Sequence, residues 1–165
     1  MNIFFTDRNP VLAAQSQPDK MLVKMVLETA QMLCTAHRVC DPDETWHDEV
    51  GLYKIAFKNH PCSVWARQSV GNYHWLCLHF HALCDEYRLR YQRVHACDKK
   101  FRKHFNNVLY VAPKNIAQYS RTPVAQAMPD EYKNDDPVKA YRDYVINEKH
   151  YAEWNHNRSK PDWWK

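Results

Sequence analysis

One carboxylate stands out by where it falls. Residues 18–38 read PDKMLVKMVLETAQMLCTAHR, and Glu28 sits midway along them, with Lys24 four positions before it and Gln31 three after. Three- and four-residue spacing places Lys20, Lys24, Glu28, Gln31 and Thr35 on one line of a helix. A carboxylate beside a cation, set in an otherwise apolar helix, has two readings. It is a narrow solvated edge, or it is presented at the floor of a cleft for proton transfer or for stabilising positive charge.

A second stretch suits phosphate. Arg88, Arg90, Arg93, Lys99, Lys100, Arg102 and Lys103 put seven cations within sixteen residues, opposed only by Asp98. Tyr87, Tyr91, His95, Phe101 and His104 interleave with them. Such a run holds a phosphate backbone electrostatically and offers rings on which bases stack; a solvated helix face followed by a loop fits the same pattern. Other chemistry finds less support. The ten histidines contain no pair at i,i+4 on the stretch holding His74, His79 and His81, and no H-E-x-x-H is present, so no metal is expected. The six cysteines form no C-x-x-C; Cys62, beside His60 at a helix start, is the best placed thiol but belongs to no triad pattern.

These residues must be carried by helices. In the first, Leu22, Met25, Val26, Thr29 and Leu33 form an inner stripe widened by Val23, Leu27, Ala30 and Cys34, a helical period that marks it as central. A second long helix is expected over about residues 72–93, with Tyr73, Leu76, Cys77, Phe80, Leu83, Cys84, Tyr87 and Tyr91 as its stripe. Shorter starts are marked by Pro10, by Pro61 after an Asn59 or His60 cap, and by Pro137 after Asp136. Residues 1–6 predict a strand or a buried extended lead-in, and residues 41–49 an acidic loop. No internal repeat is visible.

Composition narrows the classes. With 165 residues one domain is expected. Two glycines, Gly51 and Gly71, are too few for a phosphate-cradling loop or a dinucleotide fingerprint, and they disfavour a turn-rich β fold. Aromatic content is 13% and the net charge is +4, compatible with nucleic acid without requiring it. No leader-like segment or bilayer-length apolar run is present, and the thiols read as free, so a cytoplasmic protein without membrane contact is expected.

Beyond these single features, the segments MNIFFTDRNPVLAAQ, DKMLVKMVLETAQML, NHPCSVWARQSVGNYHWL and QAMPDEYKNDDPVKAYRDYVINEK, with the closing KPDWW, resemble pyrimidine-dimer DNA glycosylases of the phage endonuclease V type. The resemblance implies an all-α, compact single-domain bundle of three to five helices around a central buried helix, with irregular connections. From the residues themselves, positions 1–165 are expected to divide into a core (1–112 and 136–156), a proline-punctuated irregular segment (106–135) and an aromatic tail (157–165). The resemblance also implies a chemistry: the α-amine at the N-terminus attacks the sugar C1′, a Schiff base forms, the glycosidic bond breaks with help from a glutamate of the central helix, and β-elimination can follow. Glu28 matches that glutamate. Asn2 is not a small residue, so Met1 is expected to be retained and to supply the amine. α-Amines ordinarily titrate near pH 8, which leaves a useful nucleophilic fraction at neutrality. Met21 stands where characterised members carry a histidine, and Lys20 and Lys24 are offered where arginines flank the glutamate.

The expectation is thus a base-excision enzyme acting on damaged or modified pyrimidines in double-stranded DNA, monomeric, with no cofactor. Met1, Asn2 and Glu28 are its catalytic candidates. Lys20, Lys24, Arg67, Arg88, Arg90, Arg93, Lys99, Lys100, Arg102, Trp163 and Trp164 would contact DNA, and Gln31, Asn59, His60, Trp65 and Tyr73 would line the pocket. A non-catalytic nucleic-acid-binding protein on the same scaffold, or an enzyme of free nucleotides or modified nucleobases, remain alternatives.

Overall fold

In the computed structural model, which describes residues 1–105 and 112–165, the chain forms seven α-helices and no strand among those residues. They are α1 (Pro10–Gln15), α2 (Asp19–Cys40), α3 (Trp46–Glu49), α4 (Pro61–Ala66), α5 (Val70–Tyr91), α6 (Ala96–Phe101) and α7 (Pro137–Glu148), with a single 3₁₀ turn at Asp130–Tyr132. The all-α expectation is met. Two helices of 22 residues carry the architecture. They run antiparallel: Asp19 at the start of α2 pairs with Arg90 at the end of α5, and His37 near the end of α2 meets Tyr73 near the start of α5.

The inner stripe of α2 is as the spacing predicts, since Leu22, Met25, Val26, Thr29 and Leu33 are all buried together with Ala30 and Cys34. Val23 and Leu27 depart from it and lie exposed beside Lys20 and Lys24. The helix buries its α5 side and leaves this other strip open. Pro18 is the residue before α2, and α5 starts two residues earlier than expected, capped by Ser69 Oγ accepting from the Asn72 N–H at 3.1 Å.

Residues 2–6 are a buried lead-in that turns at Asn2–Phe4 rather than a strand or an extended segment. They run beneath α7, where Phe4 stacks on Tyr144 and meets Tyr141 edge-on, and Arg142 Nε donates to Thr6 O at 2.8 Å. α1 is fastened to α5 by Trp75 Nε1 donating to Arg8 O and by His79 Nδ1 on Pro10 O, 3.0 and 2.9 Å. The free N–H groups at the start of α5 go to the loop at residues 118–122: Val70 and Gly71 donate to the Gln118 and Tyr119 carbonyls. Gly71 is required there, because a Cβ would fall 2.9 Å from Tyr119 O. The expected start of the irregular segment at 106 falls on residues 106–111, outside those described. From 112 to 129 the chain is irregular.

The C-terminal segment is tied down by a buried ionic cluster. Arg90 bonds Glu86 at 2.8 Å, Asp19 at 2.9 Å and the carbonyls of Gln15 and Gln17, while Arg158 grips both oxygens of Glu86 at 2.7 Å. His156 and the Asn155 N–H hold the second oxygen of Asp19. Burial raises the Asp19 pKa, but these hydrogen bonds and the Arg90 charge outweigh it and hold the carboxyl below the usual range. All six cysteines are free. No helix among the described residues is long and apolar enough to cross a membrane.

Candidate active site

Glu28 is not a solvated edge. Its side chain is 11% exposed, closed over by the beginning of the chain. Glu28 Oε2 accepts the Asn2 N–H at 3.0 Å and lies 3.7 Å from the Met1 amine nitrogen, and Oε1 lies 3.3 Å from Lys24 Nζ. Three donors, two of them cationic, thus converge on one carboxylate.

The placement of the amine follows from Asn2. Its Oδ1 accepts the Ile3 and Phe4 N–H groups at 2.8 and 3.1 Å, and its Nδ2 donates to Ala127 O at 2.8 Å. This folds the lead-in into a tight turn in which Phe4 takes a left-handed φ of 41°. All of the Asn2 side chain's polar atoms are thereby engaged in fixing the turn next to Met1. The Met1 side chain is an anchor, 1% exposed, with Sδ accepting from Ser63 Oγ at 3.1 Å. Met1 as a residue is only half-buried, so its exposure belongs to the main chain, where the amine is. A buried side chain fixes the main chain, and with it the amine, at one place beside Glu28.

α4 supplies the neighbouring wall. Pro61 begins it, and His60 Nδ1 accepts the Cys62 N–H at 3.2 Å, so the histidine is the cap. That bond needs an unprotonated Nδ1, which puts the proton of the neutral ring on Nε2. Burial first, and then the charge of the Met1 amine, lower the His60 pKa; Glu28 opposes them. Cys62 is removed from consideration as a nucleophile. It is buried against the Tyr141 hydroxyl and its thiol is pushed up to about 11, chiefly by burial.

The remaining candidates divide. Gln31 is half-buried on the same strip of α2 as Lys24, and Lys20 is exposed there with Nζ 6.0 Å from the Tyr151 ring centroid. Asn59 is exposed before His60, and Arg67 closes α4 by donating to Ser63 O at 2.8 Å. Trp65 and Tyr73 are corrections: both lie in the core, Tyr73 bonded to His37 Nε2 at 2.7 Å, and neither lines an accessible pocket. Arg90 is a correction too. With its side chain 0% exposed inside the ionic cluster, it has no path to a phosphate.

The rest of the basic stretch is largely occupied with its own chain. Arg88 and Arg102 both pair with Asp98, Arg102 also with Asp85, and Lys100 lies over the Tyr53 and Phe101 rings at 5.0 and 5.1 Å. Arg93 and Lys99 are exposed. Trp163 and Trp164 are half-buried; Arg142 covers Trp163, and Trp164 meets Trp154 at 5.0 Å. A groove of about 680 Å³ between α1 and α5, lined by Pro10, Val11, Leu78, Ala82 and Leu89 among others, includes neither Met1 nor Glu28. Ser63 and the Ala127 carbonyl were not foreseen, since nothing local marks a hydroxyl 62 residues, or a carbonyl 125 residues, from its partner.

The arrangement defines an all-α domain whose N-terminal amine is held against a carboxylate of its central helix. The sequence profile of the family described as pyrimidine dimer DNA glycosylase matches residues 1–100, a span that contains Met1, Glu28 and His60, and the chain belongs to that family. No curated protein and no solved structure matches the chain.

Proposed function

We propose that the protein is a DNA glycosylase with associated lyase activity, acting on damaged pyrimidines in duplex DNA through the Met1 amine and Glu28. The observation that carries this reading is the 3.7 Å approach of the Met1 amine to a carboxylate that is otherwise sheltered from water. Membership of a DNA glycosylase family supports the substrate class.

The steps follow from the groups present. The neutral amine adds to C1′ of the damaged nucleoside, the C1′–N bond to the base breaks, and the base leaves with the bonding electrons and is protonated. The amine gives a proton to Glu28, and opening of the sugar ring leaves an imine between Met1 and C1′. Loss of a C2′ proton then expels the 3′ phosphate by β-elimination, and water hydrolyses the imine to free the enzyme. Glu28, sheltered and fixed by the Asn2 N–H, is suited to take the amine proton and to stabilise positive charge at C1′. Lys24, at the open end of the carboxylate, is suited to a phosphate.

The test uses duplexes carrying one cyclobutane pyrimidine dimer or one abasic site. Strand scission and a borohydride-stable protein–DNA adduct are expected, and both should vanish when one residue is added before Met1, since the amine is then displaced. Equal cleavage by the extended protein would overturn the reading.

A further inference from the structure

Resting on that reading, we propose that Phe57 is a wedge that enters the base stack beside the lesion and holds the duplex open for the Met1 amine. Phe57 is 67% exposed, the second most exposed among the large hydrophobic side chains of the described residues that stand open to solvent. Its φ of 48° is left-handed, a conformation in which a bulky side chain is a genuine outlier. Chains keep such residues where the surroundings fix them and a function uses the result.

The surroundings do fix it. On one side, Ala56 exchanges two hydrogen bonds with the Thr35 hydroxyl of α2, its N–H at 3.1 Å and its carbonyl at 3.3 Å. On the other, Phe57 O accepts the His60 N–H at 2.9 Å. The ring is therefore held out from a backbone clamped at both neighbours, rather than left on a loose tip. Both clamps lead to the site. Thr35 is two turns beyond Glu28 on the same line of α2, about 10 Å along the axis, and His60 feels the charge of the Met1 amine.

The chemistry around the ring selects a nucleic acid as occupant. Lys54 and Lys58 flank exposed Ile55 and Phe57 in sequence and are themselves exposed, with the Asp48 carboxylate, itself paired with Arg38, the acidic group beside Lys54 and Ile55. Cations bracketing one projecting aromatic ring match phosphates on either side of a base step, and apolar side chains inserted at such steps unstack and kink the duplex. An amine bound to the protein main chain cannot reach C1′ in an undistorted duplex without such an opening.

The experiment uses a duplex with one abasic site and 2-aminopurine as the adjacent base, and a single-stranded abasic oligonucleotide as the already open substrate. Wild type should raise 2-aminopurine fluorescence, Phe57→Ala should lose most of that rise and trap the duplex at least tenfold more slowly, and both should trap the single strand within twofold of each other. Phe57→Trp should retain the rise. Phe57→Asn, which accepts a left-handed φ, serves as the second truncation should the alanine variant be poorly folded. An undiminished rise and wild-type duplex trapping in both truncations would overturn the wedge, as would the absence of any rise with wild type. If wild type traps neither the duplex nor the single strand, the amine mechanism fails, while the fluorescence comparison still decides the wedge.

Discussion

Replacing Glu28 with glutamine separates charge from shape. The amide keeps an oxygen to accept the Asn2 N–H, now 3.0 Å from the carboxylate, and removes the group that takes the amine proton. General acid–base contributions of about 10²–10⁴ in rate correspond to about 2.7–5.4 kcal/mol of barrier. A side chain 11% exposed leaves little room for water to substitute, so the loss should fall in the upper half of that range. Stability should change little, by about 1 kcal/mol or less, because the hydrogen bond survives. Glu28→Ala is the contrasting variant. It leaves the buried Asn2 N–H without an acceptor, at a cost of about 1–3 kcal/mol, which for a chain of this size lowers Tm by about 2–12 °C. Glu28→Asp retracts the carboxylate by roughly one bond length, and displacement on the order of 1 Å can cost about 10²-fold. Single-turnover cleavage of a dimer-containing duplex, measured beside thermal unfolding, checks all three. The reasoning is refuted if Glu28→Gln cleaves within threefold of wild type, or if its activity falls only in step with its fold.

Further outcomes follow from the buried groups. Arg90→Met removes the buried cation shared by Glu86 and Asp19 and leaves the Gln15 and Gln17 carbonyls without their donor, so it should cost about 3 kcal/mol, yet leave the salt dependence of DNA binding unchanged. Lys24→Gln should do the reverse, with Tm nearly constant and the slope of log K against log salt reduced by about 1; binding titrations at several salt concentrations distinguish the two. His37 and His79 are held neutral by burial, with pKa values lowered to about 4 from an unfolded value near 6.5. The unfolded chain therefore binds more protons between these values, and stability is full above pH 6.5 and falls as pH drops towards 4. Each histidine contributes at most about 1.4 kcal/mol per pH unit in that window, and urea midpoints that do not fall between pH 7 and pH 5 would contradict this.

What could be seen in the sequence was what repeats along a helix or sits beside its own partner. The stripe of α2, the His60 cap before Pro61 and the Asp136 cap before Pro137 are local, and each is found in the structure. α3 and α6, at 4 and 6 residues, are too short to show a period, and they were hidden in what read as an acidic loop and a basic run. The candidate site was half visible. Spacing placed Glu28 on a polar line, but whether that line was solvated depended on where residues 1–2 fold back, a contact across 26 residues that no periodicity encodes. Arg90 misled for the same reason. Its i,i+4 partner Glu86 is visible, whereas Asp19 and the Gln15 and Gln17 carbonyls, which draw it inside, are more than 70 residues away. Trp65 and Tyr73 looked like a pocket because they neighbour the His60 segment, but helical geometry turns both to the core.

The central claim is that the Met1 amine is the nucleophile beside Glu28. Its most direct test is to trap the protein on abasic duplex with borohydride, digest the adduct and locate the DNA-derived mass by peptide fragmentation. The account predicts that the mass sits on the α-nitrogen of the peptide beginning at Met1, and that blocking this amine abolishes trapping. An adduct carried by Lys24 or another lysine, with the Met1 peptide unmodified, would contradict it.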